Sequence, residues 1–115
     1  MESFSELVGH TLSSVVVNDD EIIFDVVDDG QHRLFHVGDC CERVTVDDVV
    51  GDINDLLNTP ILLAYESQSS DCGPLIPTHD SYTWTFYRIS TIKGTVVIRF
   101  YGTSNGYYSE TVTFK

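Results

Sequence analysis

Basic residues are scarce in this chain. Six lysines and arginines stand against eighteen aspartates and glutamates, a formal net charge of −12. Such a surface repels nucleic acid and anionic membranes, so direct polyanion binding is excluded as a role, and it attracts basic protein surfaces or cations. Long apolar runs are missing too: none approaches the roughly 18 residues that a membrane-spanning helix needs. The opening "MESFSELVGH" lacks both a positive n-region and an apolar stretch, so it is not expected to be a secretory signal peptide. Cysteine is limited to Cys40, Cys41 and Cys72, an odd number that does not suit an oxidised secreted scaffold. The expected compartment is therefore the cytoplasm. Phosphate-cradling motifs are also lacking: there is no GxxxxGK[ST], and no GxGxxG after a strand.

What is present suits one globular domain of 115 residues with 42% hydrophobic content. The acids are distributed unevenly. Residues 1–80 hold 17 of them against Arg33 and Arg43, a net of −15, whereas residues 81–115 hold Glu110 against Arg88, Lys93, Arg99 and Lys115, a net of +3.

Phe4, Leu7 and Val8 lie at helical spacing with Ser3 placed to cap them, which predicts a short N-terminal helix. "TLSSVVVNDDEIIFDVVDDGQHRLFHVG" reads as three strands joined by an Asx-rich "NDD" turn and a "DDG" turn whose Asp-Gly pair favours a tight hairpin. The period then changes. In "DDVVGDINDLLNTP", Val49, Val50, Ile53, Leu56 and Leu57 follow the i, i+3, i+4 rule of a helix face, and Asp47, Asp48, Asp52, Asn54 and Asp55 fall on the other side. Asn58 and Pro60 would end that helix. Gly51 inside it costs about 1 kcal/mol relative to alanine, which points to close packing there. "ILLAYES" has the length and apolarity of a buried strand. "YTWTFYRIS" and "TVVIRFYG" alternate as strands around the Lys93-Gly94 turn, with Val96, Ile98 and Phe100 sharing one face. "TSNG" supplies an Asn-Gly turn into "YYSETVTFK". The sum predicts an α+β fold: a mostly antiparallel sheet of about six to seven strands, one firm amphipathic helix packed on a face, and the short N-terminal helix.

Chemistry-bearing residues point weakly to catalysis. Cys40 and Cys41 are adjacent, so on a strand they point to opposite faces, and they lack the CxxC spacing of a zinc grip. Asp39 and Glu42 flank them, the reverse of the electropositive setting that activates a thiol. A metal-dependent enzyme would have to gather His32, His36, Cys41, Cys72 and His79, and it stands as the weakest of three readings. The expectation is that no metal and no cofactor is bound and that the protein is not an enzyme. The carboxylate pairs lie in turns or on a solvent-facing stripe, where nothing separates their acidities for acid–base work. The stripe itself suits partner binding. Asp47, Asp48, Asp52 and Asp55 would run for about 12 Å along one helix, joined by Asp39 and Glu42, and would meet a basic protein surface. A duplex carries one charge per about 1.7 Å, so the stripe is sparser than DNA. The second reading is a pocket in which Trp84, Arg88, Arg99, Tyr101 and Tyr107 stack and hold a small nucleotide.

The pieces "VGHTL", "DCCERVTVDDVVGDINDLLNTPIL" and "TWTFYRISTIKGTVVIRFYGTSNGYYSETVTF" cover most of the chain, and on them it resembles a family of small uncharacterised bacteriophage proteins. That resemblance implies a phage origin and no particular activity. Phage origin turns the acidic surface into an expectation: a non-enzymatic inhibitor in the infected bacterial cytoplasm. Its partner would be a host protein with a basic surface, from defence or nucleic-acid processing. The alternative is a sponge for a small nucleotide signal. Neither nucleic acid nor membrane is an expected direct partner, and a homo-oligomer is left open.

Overall fold

A computed structural model describes residues 1–38, 42–69, 73, 75, 81–104 and 109–115. Among these, eight strands form two antiparallel sheets. The first sheet has the order β1-β2-β3-β8 and comprises β1 (Leu12–Val17), β2 (Glu21–Val26), β3 (Gly30–Phe35) and β8 (Thr113–Phe114). The second has the order β4-β7-β6-β5 and comprises β4 (Arg43–Val50), β5 (Leu63–Ser69), β6 (Ser81–Thr91) and β7 (Gly94–Ser104). Both contribute one face to a single apolar core. Ile22, Phe24, Val26 and Leu34 come from the first sheet, and Ala64, Tyr87, Ile89, Val96, Ile98 and Phe100 from the second.

This corrects the α+β expectation. The described residues contain no α-helix, only two four-residue 3-10 turns, Phe4–Leu7 and Ile53–Leu56. The first stands where the N-terminal helix was expected. Ser3 precedes it, but its hydroxyl makes no cap bond and lies 2.9 Å from that of Ser5. The firm helix over 47–57 does not form, and the reason is local. Residues 43–50 are rich in β-branched side chains, which favour strands, and they pair with β7 from Arg43↔Thr103 to Val50↔Val97. The register shifts between Val46 and Asp48, the mark of a β-bulge. With Asp47 as the extra residue, Val46 and Val49 both pack on the core. A spacing of three on one face imitates a helix. Gly51, at φ +110°, then turns the chain, and a Cβ there would stand 2.6 Å from the Thr95 carbonyl oxygen. The close approach inferred at Gly51 is real, although its cause is a turn against β7 and not a helix contact.

The N-terminal strands follow the sequence pattern closely. β2 buries Ile22, Phe24 and Val26 in alternation, and the "DDG" turn places Asp28 and Gly30 at positive φ. β5 departs from expectation: of "ILLAYES", Ile61 and Ala64 are buried, while Leu62, Leu63 and Tyr65 face solvent on the sheet's edge. Among the described residues, no helix is long and apolar enough to cross a membrane.

One core residue carries a pH signature. Tyr87 is fully buried, and its hydroxyl finds no hydrogen-bond partner among the described residues. Burial first, and then the negative charge of Glu66 on the paired position of β5, push this phenol well above its ordinary range. The unfolded chain releases that proton near pH 10, whereas the folded chain retains it. Above pH 10 the unfolded state therefore binds fewer protons, and stability falls by about 1.4 kcal/mol per pH unit from this group. Urea unfolding at pH 9 and pH 11 checks this: Tyr87→Phe is expected to match the wild type at pH 9 or exceed it, and to gain about 1 kcal/mol on it by pH 11.

Candidate functional site

The turn between β1 and β2 and the edge strand β4 come from distant parts of the chain, yet they meet. Asn18 N–H donates to the Glu21 carbonyl at 2.9 Å and closes the turn, and Val46 N–H donates to the Asp19 carbonyl at 2.7 Å. That second bond joins the first sheet to β4. It sets exposed Asp19 and Asp20 beside exposed Asp47 and Asp48, so two acidic runs of the sequence become one carboxylate-bearing edge. The bulge at Asp47 also turns two charges outward on a strand whose backbone ends the sheet, a device that discourages strand-to-strand aggregation.

Part of this charge is neutralised internally. Arg99, opposite Asp48 on β7, approaches Asp47 at 2.7 Å and Asp48 at 3.7 Å, while Arg33 pairs with Glu21 at 2.9 Å and lies over the Phe35 ring. Both pairs are partly exposed, so each contributes at most about 1 kcal/mol. Three carboxylates, on Asp19, Asp20 and Asp48, remain in excess of the arginines that face them.

Beside this edge lies a groove of about 900 Å³ lined by residues of the β1–β2 turn, the end of β3 and the start of β4. His36 and Glu42 belong to its lining. Glu42, at 1% side-chain exposure, meets His36 Nε2 at 3.0 Å. The opposite ring nitrogen, Nδ1, lies 2.6 Å from the Thr111 carbonyl; a carbonyl only accepts, so Nδ1 carries a hydrogen. The imidazole therefore ties the start of β4 to the C-terminal segment. Both of its nitrogens are engaged, which leaves none to act as a base on a ligand.

The six acids of the expected stripe thus have separate fates. Asp47 and Asp48 lie on the edge. Glu42 is buried, and its packing with His36 turns it from partner contact to architecture. Asp52 caps the second 3-10 turn by accepting from Asn54 N–H at 2.9 Å. Asp55 is half-buried, its carboxylate against Gly94 and its carbonyl accepting from the Thr91 hydroxyl. Asp39 lies outside the described residues. A strand, a turn and a cap replace the single helix face, and of the five described acids two, Asp47 and Asp48, stay together on the surface. Asp19 and Asp20, visible in the sequence as a turn, take the place of the others, because a long-range backbone bond brings them there.

The aromatic-arginine set is also divided. Trp84 and Tyr101 face each other across β6 and β7 with ring centroids 4.6 Å apart, and Arg99 lies 5.1 Å above Trp84. Both rings are buried, with Trp84 Nε1–H donating to the Gly73 carbonyl at 2.7 Å and Leu75 N–H donating to the Tyr101 hydroxyl at 3.1 Å. Arg88 stands apart, exposed over Tyr65, and Tyr107 lies outside the described residues. Of the metal-reading residues, His32 pairs with Asp29 at 2.8 Å and stacks on Phe114, while Cys40, Cys41, Cys72 and His79 lie outside the described residues. Among those described, no three His, Cys, Asp or Glu side chains are grouped to hold a metal ion.

The sequence patterns did not single out Glu110. It is buried at the C-terminal end of the core, where its carboxylate accepts from Thr83 Oγ1 at 2.8 Å and from Ser104 Oγ at 2.6 Å. Gly102 provides the space: a Cβ there would be 2.9 Å from the Glu110 Cβ.

Fold and surface together define a small acidic protein of two antiparallel sheets with one carboxylate-rich edge. Residues 5–114 match the model of DUF7448, a domain of unknown function, and the chain belongs to that family. No curated protein and no solved structure matches it.

Proposed function

We propose that this protein is a non-enzymatic binding module that covers a basic surface on another protein with its carboxylate-bearing edge. The observation that carries this reading is the docking of the Asp19–Asp20 turn against β4, which gathers four exposed carboxylates from two distant runs on one rigid edge. The chain's net charge of −12 supports it, because complementary charge accelerates encounter and selects partners. The resemblance to small phage proteins gives the partner class: a host defence or nucleic-acid-processing protein, inhibited in the cytoplasm of an infected bacterium.

Capture from host lysate, elution by salt and mass spectrometry identify the partner. Calorimetry with that partner is then the test. The variant D19N/D20N/D47N/D48N is expected to bind at least tenfold more weakly, and wild-type affinity to fall steeply between 50 and 500 mM salt. Equal affinity of the two proteins, with no salt dependence, defeats the proposal. The nucleotide-sponge reading draws less support, since Trp84 and Tyr101 are closed over and Arg99 is held by Asp47. It requires a nucleotide-induced rise in melting temperature that is lost in Arg88→Ala or Arg99→Ala.

A further inference from the structure

The outer face of the second sheet breaks the charge pattern of the rest of the molecule. Along β6 and β7, Tyr87, Ile89, Ile98 and Phe100 point into the core, so the alternate residues, Phe86, Arg88, Val97 and Arg99, point away from it. The register of β4 adds Arg43 and Val50 to that side, and the register of β5 adds Tyr65. Three of the chain's six basic residues therefore lie on one sheet face. The strands of this sheet hold three acids. Glu66 is on the other face, beside Tyr87, and Asp47 and Asp48 sit at the β4 margin against Arg99. The first sheet is arranged differently: its outward Arg33 is paired with Glu21, and its outward Asp25 accepts from Ser14.

One row of this face crosses all four strands, because Val50, Val97, Arg88 and Tyr65 are successive partners. The row lies towards the Lys93-Gly94 turn, whereas Gly73 and Leu75 bond to Trp84 and Tyr101 at the other end of the face. Val50 is 58% exposed, Tyr65 is 40% exposed, and Arg88 is exposed between them. Arg88 forms no ion pair among the described residues, and its guanidinium lies 5.9 Å from the centroid of the Tyr65 ring. An arginine of this kind among aliphatic and aromatic groups, without lysine or glutamate, has the composition of the centre of a protein interface.

We propose that this row docks an amphipathic helix of a partner protein that carries an acidic residue within its apolar stripe. A helix rises about 5.4 Å per turn, and neighbouring strands lie about 4.8 Å apart. Laid across the strands, such a helix sets one side chain of its stripe over each of them. Apolar residues meet Val50, Val97 and Tyr65, and a carboxylate meets Arg88, whose planar fork suits a bidentate pair. A second copy of this chain is a poor occupant, since its described residues contain no α-helix and two chains of charge −12 repel. Nucleic acid is a poor occupant too: the same net charge repels a polyanion along its length, whereas the helix brings a single carboxylate to a matched cation. Arg88 stands on β6, two strands from β4, so this proposal does not rest on the acidic-edge reading, and either can fail alone.

The probe is a labelled, end-capped peptide of alanine and glutamine, stapled into a helix on its far side, with a stripe of leucine, leucine, glutamate and leucine at successive turns. Its binding is followed by fluorescence anisotropy in 150 mM salt. The expected result is saturable binding to the wild type, about tenfold tighter than that of the same peptide with lysine in place of glutamate. That order opposes the protein's net charge, so general attraction does not produce it. Arg88→Glu should invert the preference, Arg88→Gln should remove it, and Val50→Asp should weaken the glutamate peptide by about tenfold. D19N/D20N/D47N/D48N should retain the wild-type preference, which separates this face from the acidic edge. Circular dichroism melting confirms that each variant is folded. Absence of saturable binding at millimolar peptide overturns the proposal, as does a wild-type preference for the lysine peptide. So does an unchanged preference in Arg88→Glu. Binding of a twelve-residue thymidine oligonucleotide that Arg88→Glu abolishes would assign the face to nucleic acid, and a sedimentation dimer abolished by Val50→Asp would assign it to a second copy; either result overturns the proposal.

Discussion

Replacing His36 with leucine is expected to lower the unfolding free energy by about 3 kcal/mol, among the largest effects of any single change to a polar side chain in this protein. The imidazole donates to the Thr111 carbonyl through Nδ1 and meets the Glu42 carboxyl at 3.0 Å through Nε2. Side-chain exposures of 8% for His36 and 1% for Glu42 keep water from replacing the contact between them. Leucine fills the volume but deletes both interactions, and a buried carboxyl group that loses its imidazole is costly to retain. Chemical denaturation monitored by circular dichroism reads the change, and the melting temperature should fall by about 10 °C. The double variant H36L/E42L separates pairing from packing: with the carboxyl group also gone, part of the loss should return, a non-additivity of 1 kcal/mol or more. If H36L costs less than about 1 kcal/mol, this pair does not hold the C-terminal segment to β4.

Gly102→Ala is the second. A Cβ at position 102 would stand 2.9 Å from both the Cβ and the carbonyl oxygen of Glu110, and 3.2 Å from Val44 Cγ2. Two of the obstructing atoms belong to or adjoin backbone, so the clash is relieved only by moving the 109–112 segment off the sheet. That movement also breaks the hydrogen bonds from Thr83 and Ser104 to the Glu110 carboxylate. Overpacking of this kind costs about 1–3 kcal/mol, and the lost bonds to a charged acceptor bring the expected total to about 4 kcal/mol. Gly102→Val should leave no cooperative unfolding transition at 37 °C. Gly38→Ala is the control: among the described residues the nearest atom to its Cβ would be Glu42 Oε1 at 4.0 Å, and its urea midpoint should stay within experimental error of wild type.

Both predictions concern the C-terminal segment, whose role illustrates how far local pattern carries. Val96, Ile98 and Phe100 could be placed on the core face because their alternation is local and the strand is long. Glu110 could not be placed, because its burial depends on a glycine eight residues earlier in the chain and on a threonine from another strand. The 47–57 helix was misread for an equally definite reason: one bulged residue converts a spacing of two into three, and periodicity alone does not separate that from a helix turn. "ILLAYES" was misread because apolarity reports that a side chain prefers cover, not whether the fold supplies it.

The candidate site divides in the same way. Charge composition and the lack of long apolar runs and of phosphate-loop motifs were decided by the chain itself, since each depends on residue counts or contiguous runs. So were the "NDD", "DDG" and Lys93-Gly94 turns, which obey nearest-neighbour conformational preferences; the Asn-Gly turn of "TSNG" lies outside the described residues. Only tertiary structure decided which acids share an edge, and that Glu42 turns inward to His36 while Asp19 and Asp20 turn outward beside Asp47. Those outcomes rest on backbone hydrogen bonds and packing between residues far apart in sequence, and short-range preference carries no information about them.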